Sequence, residues 1–202
     1  MTDGESQRTA RFDELFRACV GDIAAYCRWR TRSAADADDA LAEVFLVAWR
    51  RLEDVPASAP EARVWLYATA RRVTANQHRA ARRRMGLVDR IVQSRNRDVP
   101  APTIADGPDA QRVRAALAQL SARDREALLL AEWEQLTSAQ AARVMGCSEG
   151  SARGRLHRAR KRFRAAFERL HPHAANALHA PSPLARPALA QPADSSGRID
   201  HA

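Results

Sequence analysis

The chain has 202 residues and a formal net charge of +9, with 28% charged and only 5% aromatic residues. Alanine and arginine are abundant, whereas glycine, aromatic and β-branched residues are few, so the composition argues against a sheet-rich fold and predicts an all-α protein. No apolar run approaches the roughly 20 residues that span a bilayer, and the N-terminus lacks the apolar core of a signal peptide. We therefore expect a cytoplasmic protein with no membrane insertion.

Two amphipathic helices are predicted near the N-terminus, over about 11–31 and 36–52, because apolar residues there recur every three or four positions. Cys19 and Cys27 lie on the apolar side of the first helix, so we expect them to pack in a core under reducing conditions. The segment 53–60 contains two prolines and is predicted to be a loop. Acidic residues, which complement the positive end of a helix dipole, fill the first turns of the second helix: Asp36, Asp38, Asp39 and Glu43.

A third helix is predicted over about 61–84, and it carries an apolar stripe and a separate polar row. Residues 71–84 include six arginines and no acid. An aromatic side chain at one end of a row of cations and an amide suits contact with phosphates, base edges and stacked bases, although Trp65 alone would also fit a core position. The members of this α3 row, spaced by three and four, are Trp65, Thr69, Arg72, Asn76, Arg79 and Arg83.

The periodicity fails beyond the third helix, and the stretch 98–109 contains three prolines and a glycine. This composition predicts a flexible linker, and it divides the chain into two small helical domains. The end of the chain is rich in alanine and proline without periodicity, which predicts disorder. The predicted divisions are a first domain over 9–85, a linker over 86–111, a second domain over 112–170 and a disordered tail over 171–202.

The second domain is predicted to contain two helices followed by a pair joined by a tight turn. Ser121 can cap the second helix, which is expected to run to about Gln135. Thr137 and Gln140 form a capping box at the start of the third. Gly146 and Cys147 supply the turn, and Ser148 is placed to cap the last helix.

The last helix combines an apolar stripe with arginines on its other sides. Residues 149–170 hold eight basic residues against two acidic ones. Such a helix, following a short capped helix and a turn, is typical of helix-turn-helix proteins that bind DNA. Two basic patches far apart in sequence indicate a bipartite nucleic-acid binder, because solvated helix faces normally mix charges of both signs. The stripe consists of Ala152, Leu156, Ala159, Phe163 and Phe167.

These elements resemble, in order and spacing, the sigma-70 family of RNA polymerase sigma factors, and within it the extracytoplasmic-function (ECF) group. The segment FDELFRACVGDIAAYCRWR (12–30) is similar to region 2.1 of that family, and DADDALAEVFLVAWRRL (36–52) to region 2.2. ARVWLYATARRVTANQHRAARRR (62–84) resembles regions 2.3 and 2.4, and 113–163 resembles region 4. The resemblance implies a region 2 helical bundle and a region 4 helix-turn-helix.

The resemblance also implies partners and roles. A sigma factor binds core RNA polymerase through the clamp coiled-coil of the β′ subunit and the β flap, and it directs the enzyme to promoter DNA. Many family members also have an anti-sigma partner. The residues that match the family's polymerase-binding positions in region 2.2 are Asp39, Leu41, Glu43, Phe45 and Trp49.

Two sets of residues match the family's DNA-binding positions. The loop 53–63 and the α3 row correspond to the elements that read the −10 sequence and capture a flipped base. On the last helix, Ser151, Arg153, Arg155 and Arg158 correspond to positions that contact the −35 element in the major groove.

Some residues depart from the family pattern. Ala42 stands where relatives have glutamine, which removes one polar contact with the polymerase. Arg71-Arg72 and Asn76 replace the frequent R-N-x-x-x-D, so a different −10 preference is expected. The recognition helix has smaller side chains than usual at Ser151, Ala152 and Gly154, where Thr, Val and Ser are commoner.

Two other functions compete with that of a sigma factor. A stand-alone helix-turn-helix regulator would account for 112–170 but would leave the α3 row without a purpose. An enzyme acting on nucleic acid would need paired carboxylates beside a histidine, a phosphate-binding glycine loop or a cluster of metal ligands, and the sequence has none of these patterns. We therefore predict no catalytic, cofactor or metal site.

Overall fold

The computed structural model describes residues 3–84 and 108–170, and within these ranges the chain is helical with short turns and no strand. The predicted all-α class is confirmed for this part of the protein. The predicted tail and most of the predicted linker lie outside the described residues. No described helix is long and apolar enough to cross a lipid bilayer.

The helices form two groups. The first group contains α1 (Asp3–Arg30), α2 (Ala34–Arg50) and α3 (Ala59–Arg84), with a 3₁₀ turn (Leu52–Asp54) after α2. The second group contains α4 (Pro108–Ala118), α5 (Ala122–Leu128), a π-helical turn (Leu129–Trp133), α6 (Ser138–Met145) and α7 (Glu149–Leu170).

Helices α1 and α4 both begin earlier than predicted. The first turns of α1 are polar, so apolar spacing gives no signal there; they are anchored by side chains instead. Arg8 donates to the backbone oxygen of Trp49 at 2.8 Å, and Arg11 donates to that of Val55 at 2.6 Å. Helix α4 begins at Pro108, inside the predicted linker. Proline is compatible with the first turn of a helix, so its presence there did not mark a loop.

The helix predicted to run from Ser121 to about Gln135 is regular only as far as Leu128. It then widens into the π-helical turn and ends before Gln135, whose φ of 54° is left-handed. Glu134, directly before this break, is buried with 1% exposure. The irregular ending thus places an acidic side chain in the protein interior, which periodicity alone could not indicate.

The predicted helix caps are present. The side chain of Thr137 accepts from the backbone N–H of Gln140 at 3.2 Å, and the Gln140 side chain accepts from that of Thr137 at 2.9 Å. Ser121 and Ser148 each make a single cap, in which the hydroxyl accepts from the backbone N–H of Asp124 at the start of α5 and of Ser151 at the start of α7. Gly146 adopts the left-handed conformation, with φ of 65°, that ends α6 and starts the turn.

The two groups pack against each other, and their buried residues form one continuous cluster. The stripe predicted on α7 is buried against α4, α5 and α6. Between the groups, α3 lies along α6. We call the whole surface on which the two groups meet the closed contact; its polar residues are Tyr26, Arg30, Glu61, Arg63, Tyr67 and Arg71 of the first group and Glu126, Glu134 and Arg143 of the second. It was not predicted, because nothing in the local sequence patterns specifies how two helical domains meet.

Stability should fall at alkaline pH because of Cys27. Burial raises the pKa of its thiol to about 12 from an ordinary value of 9.0. Because the pKa is raised only in the folded state, the thiol of the unfolded chain ionises first as the pH rises. The contribution of Cys27 to the free energy of unfolding is therefore complete below pH 9 and declines above it. The free energy of unfolding should therefore drop by about 1 kcal/mol from this group between pH 8 and 10. Urea titrations at both pH values should show a smaller drop for Cys27→Ala, and an equal drop would contradict this assignment.

Candidate nucleic-acid interface

Helices α6 and α7 form the helix-turn-helix expected from the sequence. Gly146 ends α6, and the hydroxyl of Ser148 accepts from the backbone N–H of Ser151 at 3.3 Å, which fixes the start of α7. The Ser148 hydroxyl also donates to that of Ser151 at 2.9 Å. The buried stripe holds α7 against the second group, so the opposite side of its first turns faces solvent.

Three of the four residues assigned to −35 recognition share one face of α7. Ser151, Arg155 and Arg158 fall within an arc of about 60° at 3.6 residues per turn. Arg153 lies about half a turn away, exposed and paired with Glu149 at 2.6 Å. The structure therefore brings Arg155 and Arg158 together, with Ser151, as one polar surface that does not include Arg153.

Other arginines of α7 are structural. Arg160 pairs with Glu132 of the π-helical turn, with its Nε at 2.7 Å from the carboxylate, and Arg162 pairs with Asp124 of α5. These pairs hold α7 to the rest of the second group. The sequence could not separate these paired arginines from the others on α7, because both acids are about 30 or more residues away along the chain.

Four of the six residues of the α3 row lie on the surface as predicted. Arg72, Asn76, Arg79 and Arg83 are exposed, and Arg79 donates a hydrogen bond to the side-chain oxygen of Asn76. They occupy successive turns in the second half of α3, so they line up along its axis. The result is a cationic strip that reaches toward the end of the described helix.

The other two residues of the row are less exposed than the row predicts. Thr69 is buried with 5% exposure, so its side chain contributes to packing and is not presented to a ligand. Trp65 is half-buried and packs against the small apolar cluster of Leu52, Val55 and Ala62. A helix face that borders a core carries both exposed and buried positions, and spacing by three and four does not distinguish them.

The residues assigned to polymerase binding also divide into exposed and buried sets. Asp39 and Glu43 are exposed and one turn apart on α2, and Leu41 is half-buried. Phe45 has only 5% exposure and packs against the Phe16 ring at 4.8 Å, so the structure places it in the core.

Trp49 is partly covered by the first turns of α1. The guanidinium of Arg8 lies 5.0 Å from the centre of its ring, and the ring of Phe12 lies 5.2 Å from it in an edge-on arrangement. Only part of the indole is therefore available to a partner.

One exposed apolar residue beside these positions was not predicted. Leu46 is 47% exposed and follows Glu43 by three positions, so it continues the exposed face of Asp39 and Glu43. The signal is present in the sequence, since positions 39, 43, 46 and 50 step by four, three and four. The apolar stripe expected for α2, which steps through Ala37, Ala40, Val44 and Ala48, also leaves Leu46 outside it, but an exposed leucine carries no functional meaning by itself.

The closed contact contains two buried carboxylates that the sequence did not single out. Glu126 of α5 accepts from three side chains of the first group: Arg30 at 2.9 Å, Arg71 at 3.0 Å and the Tyr26 hydroxyl at 3.2 Å. Burial, and then the Glu126 charge, raises the pKa of Tyr26 well above its usual value. The phenol therefore stays protonated and remains a hydrogen-bond donor.

Glu134 forms the second cluster. Its carboxylate accepts from the Tyr67 hydroxyl and lies 3.3 Å from Arg63, which also contacts Asp22 at 2.9 Å. Burial, and then the Glu134 charge, raises the pKa of Tyr67. At the edge of the contact, a more exposed pair joins Arg143 of α6 to Glu61 of α3. All these bonds cross between the two groups except the one from Arg63 to Asp22.

Comparison with known proteins assigns both groups. Residues 15–84 match the family model for sigma-70 region 2, and residues 110–163 match that for sigma-70 region 4. The chain is 33% identical over 162 residues to the ECF RNA polymerase sigma factor SigL of Mycobacterium tuberculosis, covering 77% of this chain and 90% of that protein. It is 35% identical over 133 residues to the sigma factor SigC of the same species, covering 61% and 66%.

Two solved structures share the fold. The first is the sigma factor RpoE in complex with the anti-sigma factor NepR from Bartonella quintana, with a TM-score of 0.60, 23% identity, and coverage of 78% of this chain and 96% of that one. The second is CnrH in complex with the cytosolic domain of CnrY, with a TM-score of 0.55, 22% identity, and coverage of 78% and 88%. At these identities the likeness concerns the fold alone.

Proposed function

Because the chain belongs to the sigma-70 family, as an RNA polymerase sigma factor of the ECF group that acts in transcription initiation, we propose which of its residues bind the polymerase and the promoter. The proposal assigns −10 recognition and strand opening to the first domain (9–85) and −35 recognition to the second (112–170). The observation that carries it is that one chain holds both a helix-turn-helix and a separate exposed cationic row on α3.

The −35 element is contacted by the face of α7 that carries Ser151, Arg155 and Arg158. An arginine fork donates two hydrogen bonds to guanine, and shorter side chains let the helix approach the bases closely. Arg153, on the other side of α7, is placed for a phosphate. The small side chains at Ser151 and Gly154 leave few base contacts, so binding by this helix alone is weak.

The −10 element is contacted by the exposed strip of Arg72, Asn76, Arg79 and Arg83, together with the loop 53–63. These cations bind the phosphates of the separated strand. Trp65 lies at the border of the loop and the row, with part of its ring accessible for stacking. Thr69 supports this surface from within.

Core polymerase binds the exposed face of α2, with Asp39 and Glu43 as the charged contacts and Leu46 as the apolar one. Phe45 and Trp49 fix the shape of this face by packing against α1. The chain then acts in the cytoplasm, where the polymerase is found, and its role is binding and positioning without catalysis of its own. Because the two structural relatives were solved with anti-sigma partners, we include an anti-sigma protein among the proposed partners.

A stand-alone regulator is not favoured, because it has no use for the region 2 match. Purification separates the two functions. A sigma factor should co-purify with core polymerase and bind duplex promoter weakly by itself, whereas a regulator should bind its operator unaided. Run-off transcription with the purified chain and core polymerase tests the proposal, and a polymerase that initiates equally well without the chain would refute it.

Replacing Arg155 with alanine should reduce run-off transcription from a cognate promoter about tenfold, since one bidentate contact with a base contributes about 1–3 kcal/mol. Arg169→Ala is the matched control: it removes the same charge from an exposed position about 21 Å farther along α7. Transcription should depend on Arg155 and not on Arg169. Equal output from both variants would exclude a reading role for Arg155.

A further inference from the structure

The closed contact is incompatible with simultaneous binding of both promoter elements. Elements named −10 and −35 lie about 25 base pairs apart, which is about 85 Å of B-form DNA. A compact body of about 145 residues has a radius of gyration of only about 15 Å. Since α3 lies directly along α6, the −10 and −35 surfaces cannot reach both elements until the two groups separate.

Separation would uncover three arginines. Arg30, Arg63 and Arg71 all belong to the first group, and their side chains are only 16%, 26% and 34% exposed. In the closed chain Arg30 and Arg71 contact Glu126 of the second group, and Arg63 contacts Glu134 of the second group at 3.3 Å as well as Asp22 of its own group at 2.9 Å. An arginine that binds a carboxylate through its planar fork is equally suited to a phosphate, because both are anions with paired oxygen acceptors.

The position of these arginines connects them to the proposed −10 surface. Arg71 directly precedes Arg72, and the side of α3 that carries Arg63 and Arg71 is roughly opposite the α3 row at 3.6 residues per turn. Helix α3 is therefore cationic on two sides, of which one is exposed and the other is paired with Glu126 and Glu134 of the second group and with Asp22 of the first. A single strand separated from its partner, or a duplex bending around the helix, would meet phosphate ligands on both.

We propose that Arg30, Arg63 and Arg71 form a binding site for nucleic-acid phosphates that Glu126 and Glu134 occupy when the chain is closed. The two carboxylates act as internal substitutes for phosphate, so closure and DNA binding compete for the same cations. By linkage, DNA that binds the open chain more tightly shifts the equilibrium away from closure by the same factor. The inference rests on the proposed function, in that the phosphates are those of promoter DNA.

Each of the two carboxylates is bound by a tyrosine hydroxyl in addition to the arginines. The hydroxyls of Tyr26 and Tyr67 donate to Glu126 and Glu134 respectively, so each of these two carboxylates has a neutral donor as well as a cation. Breaking a buried charge pair by removing one partner is costly, whereas replacing both partners at once costs little. When DNA binds, each arginine exchanges a carboxylate for a phosphate. The arginine therefore keeps an anionic partner, and the cost of an unpaired buried charge does not arise.

The test uses the full chain and a labelled 20-nucleotide single strand of mixed sequence. In Glu126→Gln/Glu134→Gln, Arg30 and Arg71 lose their internal anion and Arg63 keeps only Asp22, and affinity for the strand at about 0.1 M salt should rise about tenfold. Three additional phosphate contacts should also make the plot of log K against log salt steeper by about 2. Adding Arg30→Gln and Arg71→Gln should remove most of both gains.

A matched control distinguishes the unmasking of the arginines from a general effect of removing two negative charges. Glu14→Gln/Glu168→Gln also removes two acids, both on exposed helix surfaces outside the closed contact, and its salt dependence should equal that of the unmodified chain. Circular dichroism checks that the double variant is folded; if it is not, Glu126→Gln alone keeps the hydrogen-bond acceptor and should give a smaller gain in the same direction.

The outcomes are distinct. If affinity rises but the slope does not, or if the gain survives loss of Arg30 and Arg71, the glutamates only hold the groups together and the masked site is refuted. Run-off transcription of the unmodified chain, measured in parallel, reports on the proposed function separately. A chain that initiates transcription but shows no masked site leaves the sigma-factor function intact.

Discussion

Locking the closed contact is expected to abolish transcription. In Glu61→Cys/Arg143→Cys, with Cys147 replaced by serine, a short reducible bismaleimide linker would join α3 to α6 where the native pair already meets. Run-off transcription should fall at least about tenfold, because the linked chain cannot span about 85 Å of promoter. Cleaving the linker with a reductant should restore the output.

Each linked protein serves as its own control, before and after cleavage, so any effect of the substitutions themselves cancels. Cys19 and Cys27 are buried and do not compete for the reagent in the folded chain. The single-cysteine variants, treated in the same way, control for modification of one site. Full transcription by the linked protein would show that the closed contact is compatible with promoter binding, and it would remove the premise of the masked site.

The chemistry of the closed contact suits a state that must open. A buried ion pair contributes little net stability, because the desolvation of two charges offsets their attraction. It does impose a specific arrangement, since each carboxylate is satisfied only in one geometry. Glu126 and Glu134 therefore fix the orientation of the two groups while their ion pairs add little to the free energy of closure, most of which comes from the shared apolar cluster.

Local features of this chain were predictable because neighbours in sequence cause them. The capping box of Thr137 and Gln140 and the turn at Gly146 depend on residues within one or two helical turns, and the apolar stripe on α7 follows from regular spacing along one helix. Their interactions form in the same way whatever surrounds them. For that reason the helix-turn-helix is recognisable from the amino-acid sequence alone.

Other features depend on partners far away in sequence. Glu126 meets Tyr26 and Arg30 about 100 residues earlier, and neither its spacing nor its neighbours distinguish it from a solvated acid. The same holds for Arg160, which resembles Arg158 in sequence but is paired with Glu132. Only the packing of the helices decides which charges are available, so the sequence could locate the candidate residues on helices but not decide which of their side chains are exposed.

Replacing Leu46 with aspartate is expected to remove polymerase binding while leaving the chain folded. Leu46 is 47% exposed, so its substitution should change the free energy of unfolding by no more than about 0.5 kcal/mol. An apolar residue at the centre of an interface commonly contributes about 2 kcal/mol, and an acid there adds the cost of burying a charge. Affinity for core polymerase should therefore fall at least about 30-fold.

Titrating labelled chain with core polymerase measures that affinity, and Leu170→Asp supplies the matched control. Leu170 is a similarly exposed leucine, at 41%, but it ends α7 in the second group, away from α2. Its variant should bind polymerase as the unmodified chain does. If Leu46→Asp also binds normally, the apolar contact must come from elsewhere on the first group, and Phe16, 39% exposed beside Phe45, would be the next residue to replace.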